Sequence, residues 1–265
     1  MRRAGLIVWQ AHQAAARRVR PGVTTAELNR VYRQTFQEYD AYPLFLNYGG
    51  PPPFPAEACI SVNEQIVHGI PGDRVLQEGD IVSLDTGCRL DGWCGDAAVT
   101  LPVGNIAPET QRLLDVTRET LDLAIERLSS AEWWSEIARE MEKRVLAAGF
   151  SVVQSLVGHG IGRELHEPPQ VPNYYSDEFA QQDDFSLRPG VVLAIEPMVN
   201  AGVAEDRCLD DAWTLVTRDG APSAHFEHTV ALTADGAIRL TGPPNDDELD
   251  WVPEWLRNPD DWVRW

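Results

Sequence analysis

Two apolar, β-prone runs, Ile81–Arg89 and Trp93–Leu101, are joined through Asp91-Gly92, a dipeptide that favours a two-residue hairpin turn. With two residues in the turn, Leu90 faces Trp93 and, counting back, Gly87 faces Asp96. Side chains alternate faces along a strand, so Asp85 lies on the same face as Gly87. Asp85 and Asp96 thereby become diagonal neighbours on one face, roughly 7–8 Å apart at the backbone. Carboxylates held that close repel each other, and a cation between them removes the penalty. The hairpin is a ready metal clamp.

Three further groups suit the same chemistry. His159 stands between glycines in Gly158-His159-Gly160-Ile161-Gly162, where little side-chain bulk obstructs a metal or substrate and the backbone can approach closely. Glu196 follows the apolar run Val191–Ile195 and precedes Pro197, at the end of a buried strand where an unpaired charge is costly. Glu227 sits in a comparable context, Phe226-Glu227-His228-Thr229-Val230. Hard divalent cations take carboxylate oxygens and borderline ones also accept imidazole, so four acids with one histidine fit a pair of such ions.

Around these residues the chain reads as a repeated helix–helix–strand order. Apolar residues at helical spacing predict a helix over 3–20, ended by Pro21-Gly22, and a second from Thr25 as cap to about Tyr39. After a Pro- and Gly-rich loop at Gly49–Pro55 come strands at Ala58–Val62 and in the hairpin. The order recurs with helices over 108–128 and 134–148, then strands around 151–157, 191–195, 213–217 and 224–231. A duplicated α+β unit is the economical reading. The last segment, 241–265, differs: it holds seven acids against two arginines and four of the nine tryptophans, so an acidic, Trp-rich extension follows one catalytic domain over 1–240.

The balance of 22 Lys and Arg against 41 Asp and Glu gives a net charge of −19, which argues against nucleic acid or anionic lipid as a direct partner. No apolar run reaches the roughly 18 residues of a membrane helix, and the start lacks a signal-peptide core, so the expectation is a cytoplasmic protein. Cys59, Cys88, Cys94 and Cys208 form no C-x-x-C pair and read as free thiols.

Five segments in order carry a resemblance. They are Ser61-Val62-Asn63-Glu64 through His68-Gly69-Ile70-Pro71, the Asp85 and Asp96 hairpin, Gly158–Gly162 through His166-Glu167, Ile195-Glu196-Pro197-Met198-Val199-Asn200, and Phe226-Glu227-His228-Thr229. Together they resemble the type I methionine aminopeptidases, of the pita-bread fold shared with Xaa-Pro peptidases, over about residues 1–240. The resemblance implies pseudo-two-fold helix–helix–strand units around a central antiparallel sheet. It implies that Asp85 binds one metal, Asp96 and Glu227 bridge two, and His159 and Glu196 complete the other site, with a bridging water or hydroxide as nucleophile. The ions would be cobalt, manganese, iron or zinc. Glu196 would also handle the proton, His166 would hold the scissile carbonyl, and His68 would hydrogen-bond the substrate near the attacked bond. Phe54, Cys59, Met198 and Trp213 match positions that enclose the methionine side chain. In that pocket Leu165 stands where the family usually has Phe, and Ala212 where it usually has Gly. Nascent polypeptide N-termini with a small second residue would be the substrates, the ribosome surface a candidate contact, and the protein a monomer.

Two other readings compete. An Xaa-Pro aminopeptidase or prolidase resembles this chain in its ligands, but that family usually carries a preceding domain and the His68-Gly69-Ile70-Pro71 context fits the methionine enzymes better. A non-enzymatic binding module on the same fold is the second, against which stand five filled ligand positions.

Overall fold

Twelve of the fifteen residues of the first helix, α1 (Arg2–Ala16), are buried, including the polar Gln10, His12 and Gln13 that interrupt its apolar pattern. A computed structural model, which describes residues 1–265, explains why: the helix is covered on every side. On one side it crosses a β-hairpin so closely that Gly5 meets Gly95, where an added Cβ would lie 2.7 Å from a backbone nitrogen. His12 donates from Nε2 to the Ala97 carbonyl at 2.8 Å and accepts from the Tyr32 hydroxyl at 2.9 Å, fastening the helix to that hairpin and to its neighbour α2 (Thr25–Glu38).

Helix α1 ends at Ala16, earlier than its spacing predicts, and the cap of α2 is Thr24 rather than Thr25. Thr24 accepts from the Glu27 N–H and Glu27 accepts from the Thr24 N–H, a capping box that needs the acid three residues after the cap. Thr25 is left as the first helical residue, and its hydroxyl pairs instead with the Gly72 carbonyl.

The strands of the first half are β1 (Tyr42–Pro43), β2 (Cys59–Val62), β3 (Gln65–Val67), β4 (Ile81–Leu90) and β5 (Trp93–Pro102). Helices α3 (Pro108–Arg127) and α4 (Trp134–Ala147) open the second half. There follow β6 (Ser151–Val152), β7 (Gly158–Gly160), β8 (Glu167–Val171), a short helix α5 (Asp177–Gln182), β9 (Val192–Ile195) and β10 (Met198–Asn200). The chain closes through β11 (Asp206–Cys208), β12 (Leu215–Thr217), β13 (Ser223–His225), β14 (Glu227–Thr233) and β15 (Gly236–Arg239).

A nine-stranded antiparallel sheet in the order β1-β4-β5-β14-β9-β7-β8, with β2 on β4 and β15 on β14, organises the molecule. The two halves meet where β5 pairs β14, so the hairpin of the first half abuts the last long strand of the second. Helix α1 backs the hairpin and α2 packs on α1 beside β1 and β2, while α3 and α4 pack over a small sheet, β13-β10-β6. This is the duplicated α+β arrangement that the repeated element order predicts.

One stretch expected as a single strand is divided, and another is shortened. The run 224–231 divides at Phe226, with β13 in the small sheet and β14 in the large one. At Glu196-Pro197 the strand breaks where the sequence predicts it to end, because Pro197 has no N–H with which to continue the ladder, and β10 follows in the small sheet. Both breaks lie at the seam between the sheets, where Phe226 N–H reaches the Pro197 carbonyl. The run 151–157 is strand only to Val152, and the remainder is loop.

The final residues form three short 3-10 helices laid along the outer face of α1 (Asp246–Trp251, Glu254–Leu256, Pro259–Asp261). Val252 and Leu256 are buried against Trp9, whose ring meets Trp262 edge-on at 5.2 Å. Arg3 and Arg17 stack over Trp251 and Trp255, each 4.5 Å from the ring centre. Arg2 forks onto Glu248, and the Gln13 side chain makes two hydrogen bonds with the Val263 backbone.

Candidate active site

The hairpin has the register that Asp91-Gly92 predicts: Leu90 opposite Trp93 and Gly87 opposite Asp96, with Asp91 and Gly92 both at positive φ. Reading across the sheet, Cys59 faces Asp85, Asp85 faces Ala98, and Ala98 faces Glu227 on β14. A small residue thus separates two acids in one row, leaving space between their carboxylates. Asp96 belongs to the neighbouring row, which continues through Thr229 and Ala194 to His159. The Thr229 hydroxyl accepts from the Asp96 N–H and donates to its carbonyl, locking that backbone.

The glycines around His159 serve close strand pairing: a Cβ on Gly158 would stand 2.4 Å from the Ala194 carbonyl oxygen, and one on Gly160 2.3 Å from that of Pro168. His159 donates from Nδ1 to the Gly160 carbonyl at 2.9 Å, which leaves the Nε2 lone pair aimed at the acids. Ligand atoms of Asp96, His159 and Glu227 all lie within 4.8 Å of one another, and His159 Nε2 is 3.6 Å from Glu196 Oε1.

The electrostatics of this group are unusual. Asp85, Asp96 and Glu227 are buried, and each has a carboxylate oxygen with no hydrogen-bond partner. Burial, then repulsion from Asp96 and Glu196, pushes the Asp85 carboxyl well above its ordinary range. Burial and Asp96 do the same to Glu196, and burial with Asp96, Glu196 and Asp85 does so to Glu227. Asp96 is raised to about 7 by burial, opposed only by the Ala97 N–H. Burial holds His159 near 4, so its imidazole is neutral and can act as a ligand. Orphaned carboxylate oxygens around a neutral imidazole, with no Lys or Arg to balance them, fit divalent cations.

A cavity of about 170 Å³ opens beside these acids. All five expected ligands, together with His68 and His166, lie on its wall. Of the residues expected to form the specificity pocket, Phe54, Cys59, Leu165 and Trp213 line it. Phe54 meets Trp213 edge-on at 5.4 Å, and the Trp213 indole donates to the Pro52 carbonyl. Met198 does not line the cavity: it is fully buried one layer back, packed with Ile66, Val67 and Val153. The register explains the difference, since Met198 belongs to β10, beyond the Glu196-Pro197 break, in the small sheet.

His68 has φ +59, a left-handed backbone that a residue with a Cβ adopts at a cost and that concentrates at functional sites. Burial and the nearby His166 lower its pKa to about 4. His166 stands at the mouth, its ring 4.3 Å from that of His159, and its Nδ1 is 2.6 Å from the Tyr48 hydroxyl.

Tyr48, Phe45, Leu156, Val157 and His225 also border the cavity and were missed by sequence reasoning. Tyr48 carried a usable signal, an aromatic hydroxyl beside the Gly- and Pro-rich loop. His225 is the less expected, for its side chain is 2% exposed and both ring nitrogens lack a partner.

Comparison with known proteins agrees with this geometry. The sequence model of metallopeptidase family M24 matches residues 1–234. Methionine aminopeptidase 1 of Bacillus subtilis is 45% identical over 241 residues, 91% of this chain and 94% of that one. Among solved structures, the methionine aminopeptidase of Thermotoga maritima superposes with a TM-score of 0.86 at 40% identity, covering 91% of this chain and 94% of that chain. The prolidase of Pyrococcus furiosus shares the fold, with a TM-score of 0.72 at 21% identity, and this chain spans 63% of it.

Proposed function

We propose, since the chain belongs to metallopeptidase family M24, that it removes the N-terminal methionine from nascent proteins and peptides. It is a hydrolase of the methionine aminopeptidase type on a pita-bread fold. The observation that carries the reading is the meeting, in one cavity, of four charge-unbalanced carboxylates with an apolar pocket of single-side-chain size. A cavity of roughly 150 Å³ holds one benzene-sized group, and about 170 Å³ accommodates one unbranched apolar side chain.

Asp85, Asp96, His159, Glu196 and Glu227 would hold divalent cations, two of cobalt, manganese, iron or zinc, since orphaned carboxylate oxygens and a neutral imidazole face one another there. When bound, such ions polarise a carbonyl and bring the pKa of a water near neutrality. The protein's own groups do the rest. Glu196 borders both the acids and the cavity, so it accepts the proton of the attacking water and passes it to the leaving amine. The Tyr48 hydroxyl donates to His166 Nδ1, which leaves the Nε2–H to donate to the scissile carbonyl oxygen as charge develops there. His68 hydrogen-bonds the substrate next to the attacked bond, and Trp213 and Phe54 keep water from the methionine side chain.

Residues 1–240 form the catalytic unit, and 241–265 are an extension that braces α1. No helix is long and apolar enough to cross a membrane. The proposed setting is the cytoplasm, where nascent N-termini emerge, and a monomer suffices because one chain supplies every site residue.

Metal-loaded protein is expected to release methionine from Met-Ala-Ser and to spare Ala-Pro. Cleavage of the proline peptide alone would reassign the chain to the Xaa-Pro peptidases, and no cleavage of either would make it a binding module.

A further inference from the structure

One buried polar side chain at the site has no role in the chemistry above. His225 is 2% exposed, and neither of its ring nitrogens has a hydrogen-bond partner. Leaving an imidazole N–H buried and unpaired is costly, so the ring calls for a partner beside it. Its Nε2 lies 3.7 Å from Oε2 of Glu196. The other oxygen of the same carboxylate, Oε1, lies 3.6 Å from His159 Nε2. Glu196 is thus bracketed by two imidazoles, one at each oxygen.

The backbone that carries His225 is fixed independently of any ligand. Its N–H donates to the Thr100 hydroxyl at 2.8 Å, and the same hydroxyl donates back to its carbonyl at 2.8 Å. Pairing of His225 with Met198 then sets the ring over the Glu196-Pro197 break. Glu196 itself sits just past the end of β9, with no ladder partner to orient its side chain.

We propose that His225 is a positioning residue for Glu196: its Nε2–H donates to Oε2 and turns Oε1 towards His159 and the metal-binding group. The small approach from 3.7 Å to hydrogen-bond distance is open to both side chains, since each residue is hydrogen-bonded through its backbone alone. The role rests on the metallopeptidase reading of the site, but its test does not depend on peptide cleavage.

Three proteins are compared by competitive titration of cobalt against a chelator: wild type, His225→Leu, which fills the space without a donor, and His225→Gln, which restores an N–H. Partners that orient a ligand are typically worth about 10–100-fold in metal affinity. His225→Leu is expected to weaken the site holding Glu196 by about that factor, and His225→Gln to recover most of it. The cobalt absorption spectrum should follow, altered in the Leu variant and close to wild type in the Gln variant. Should His225→Leu fail to fold, His225→Ala replaces it. Wild-type affinity without a donor overturns the proposal, and so does a Gln variant as weak as the Leu variant. Wild-type protein that binds cobalt yet spares Met-Ala-Ser would refute the proposed activity and leave this role standing.

Discussion

The arrangement of acids makes a direct prediction for metal-free protein. Asp96 is buried and its pKa is raised from 3.8 to about 7, so the folded state holds its proton more tightly than the unfolded state does. The sign follows: relative stability from this group is fully present below pH 4 and is lost as pH rises through about 7. A shift of about three units corresponds to about 4 kcal/mol. Asp96→Asn has nearly the same shape and cannot ionise. After treatment with a chelator, the variant should gain on wild type by up to about 4 kcal/mol between pH 4 and pH 8, roughly 10 °C in unfolding temperature for a chain of this size. The six histidines, all lowered mainly by burial, lose stability as pH falls below about 6.5. They do so equally in both proteins and cancel in the difference. Adding cation should narrow the gap and then close it, because a ligand bound only by wild type adds about 2.7 kcal/mol at 100 times its Kd and about 4 kcal/mol at 1,000 times. Differential scanning calorimetry of the pair across this range is the assay. A difference that stays flat with pH, or one that favours wild type at high pH without metal, would be incompatible with a raised pKa at Asp96.

Deleting residues 244–265 should lower the unfolding temperature of the whole protein by roughly 6–12 °C. Burial of Val252 and Leu256 against Trp9 is worth about 3 kcal/mol at about 1.5 kcal/mol per side chain; an unchanged melting curve would show that the extension braces nothing. Ala212 sits at φ +66, a conformation costing a residue with a Cβ about 1–2 kcal/mol, so Ala212→Gly should stabilise by about 0.5–1 kcal/mol net of the glycine's unfolded-state entropy. Urea denaturation measures it, and a lower midpoint would contradict the strain. Glu227→Ala removes a carboxylate shared by the cluster of Asp96 and His159, so bound metal and Met-Ala-Ser cleavage should both fall to background, as elemental analysis and a peptide assay would record. Near-normal values of either would remove Glu227 from the site.

Local chemistry decided much of this in advance. Asp91-Gly92 forces a two-residue turn, and a two-residue turn admits only one register, so the diagonal placement of Asp85 and Asp96 followed from counting. Acids at Glu196 and Glu227 stood out because a charge at the end of an apolar run needs a partner that the run does not contain. Helix caps and strand ends lay within a few residues of their expected places, except where a single residue redirected the chain.

Those redirections needed the tertiary structure. Nothing in Ala224–Ala231 distinguishes Phe226 as the point where one strand becomes two, because the choice is made by pairing with β10 and β9, segments far away in sequence. The same seam carries Met198 behind the cavity wall and brings His225 onto it, although each stands two residues from an expected ligand in the sequence. Tyr48 reaches His166 across 118 positions of chain, and Arg2 reaches Glu248 across 246. Sequence alone thus determined which residues could bind metal and how one hairpin presents two of them, because turn geometry and charge burial act within a few residues. Only the folded chain decided which side chains line the cavity and which imidazoles stand beside Glu196, because those depend on long-range packing that no local pattern encodes.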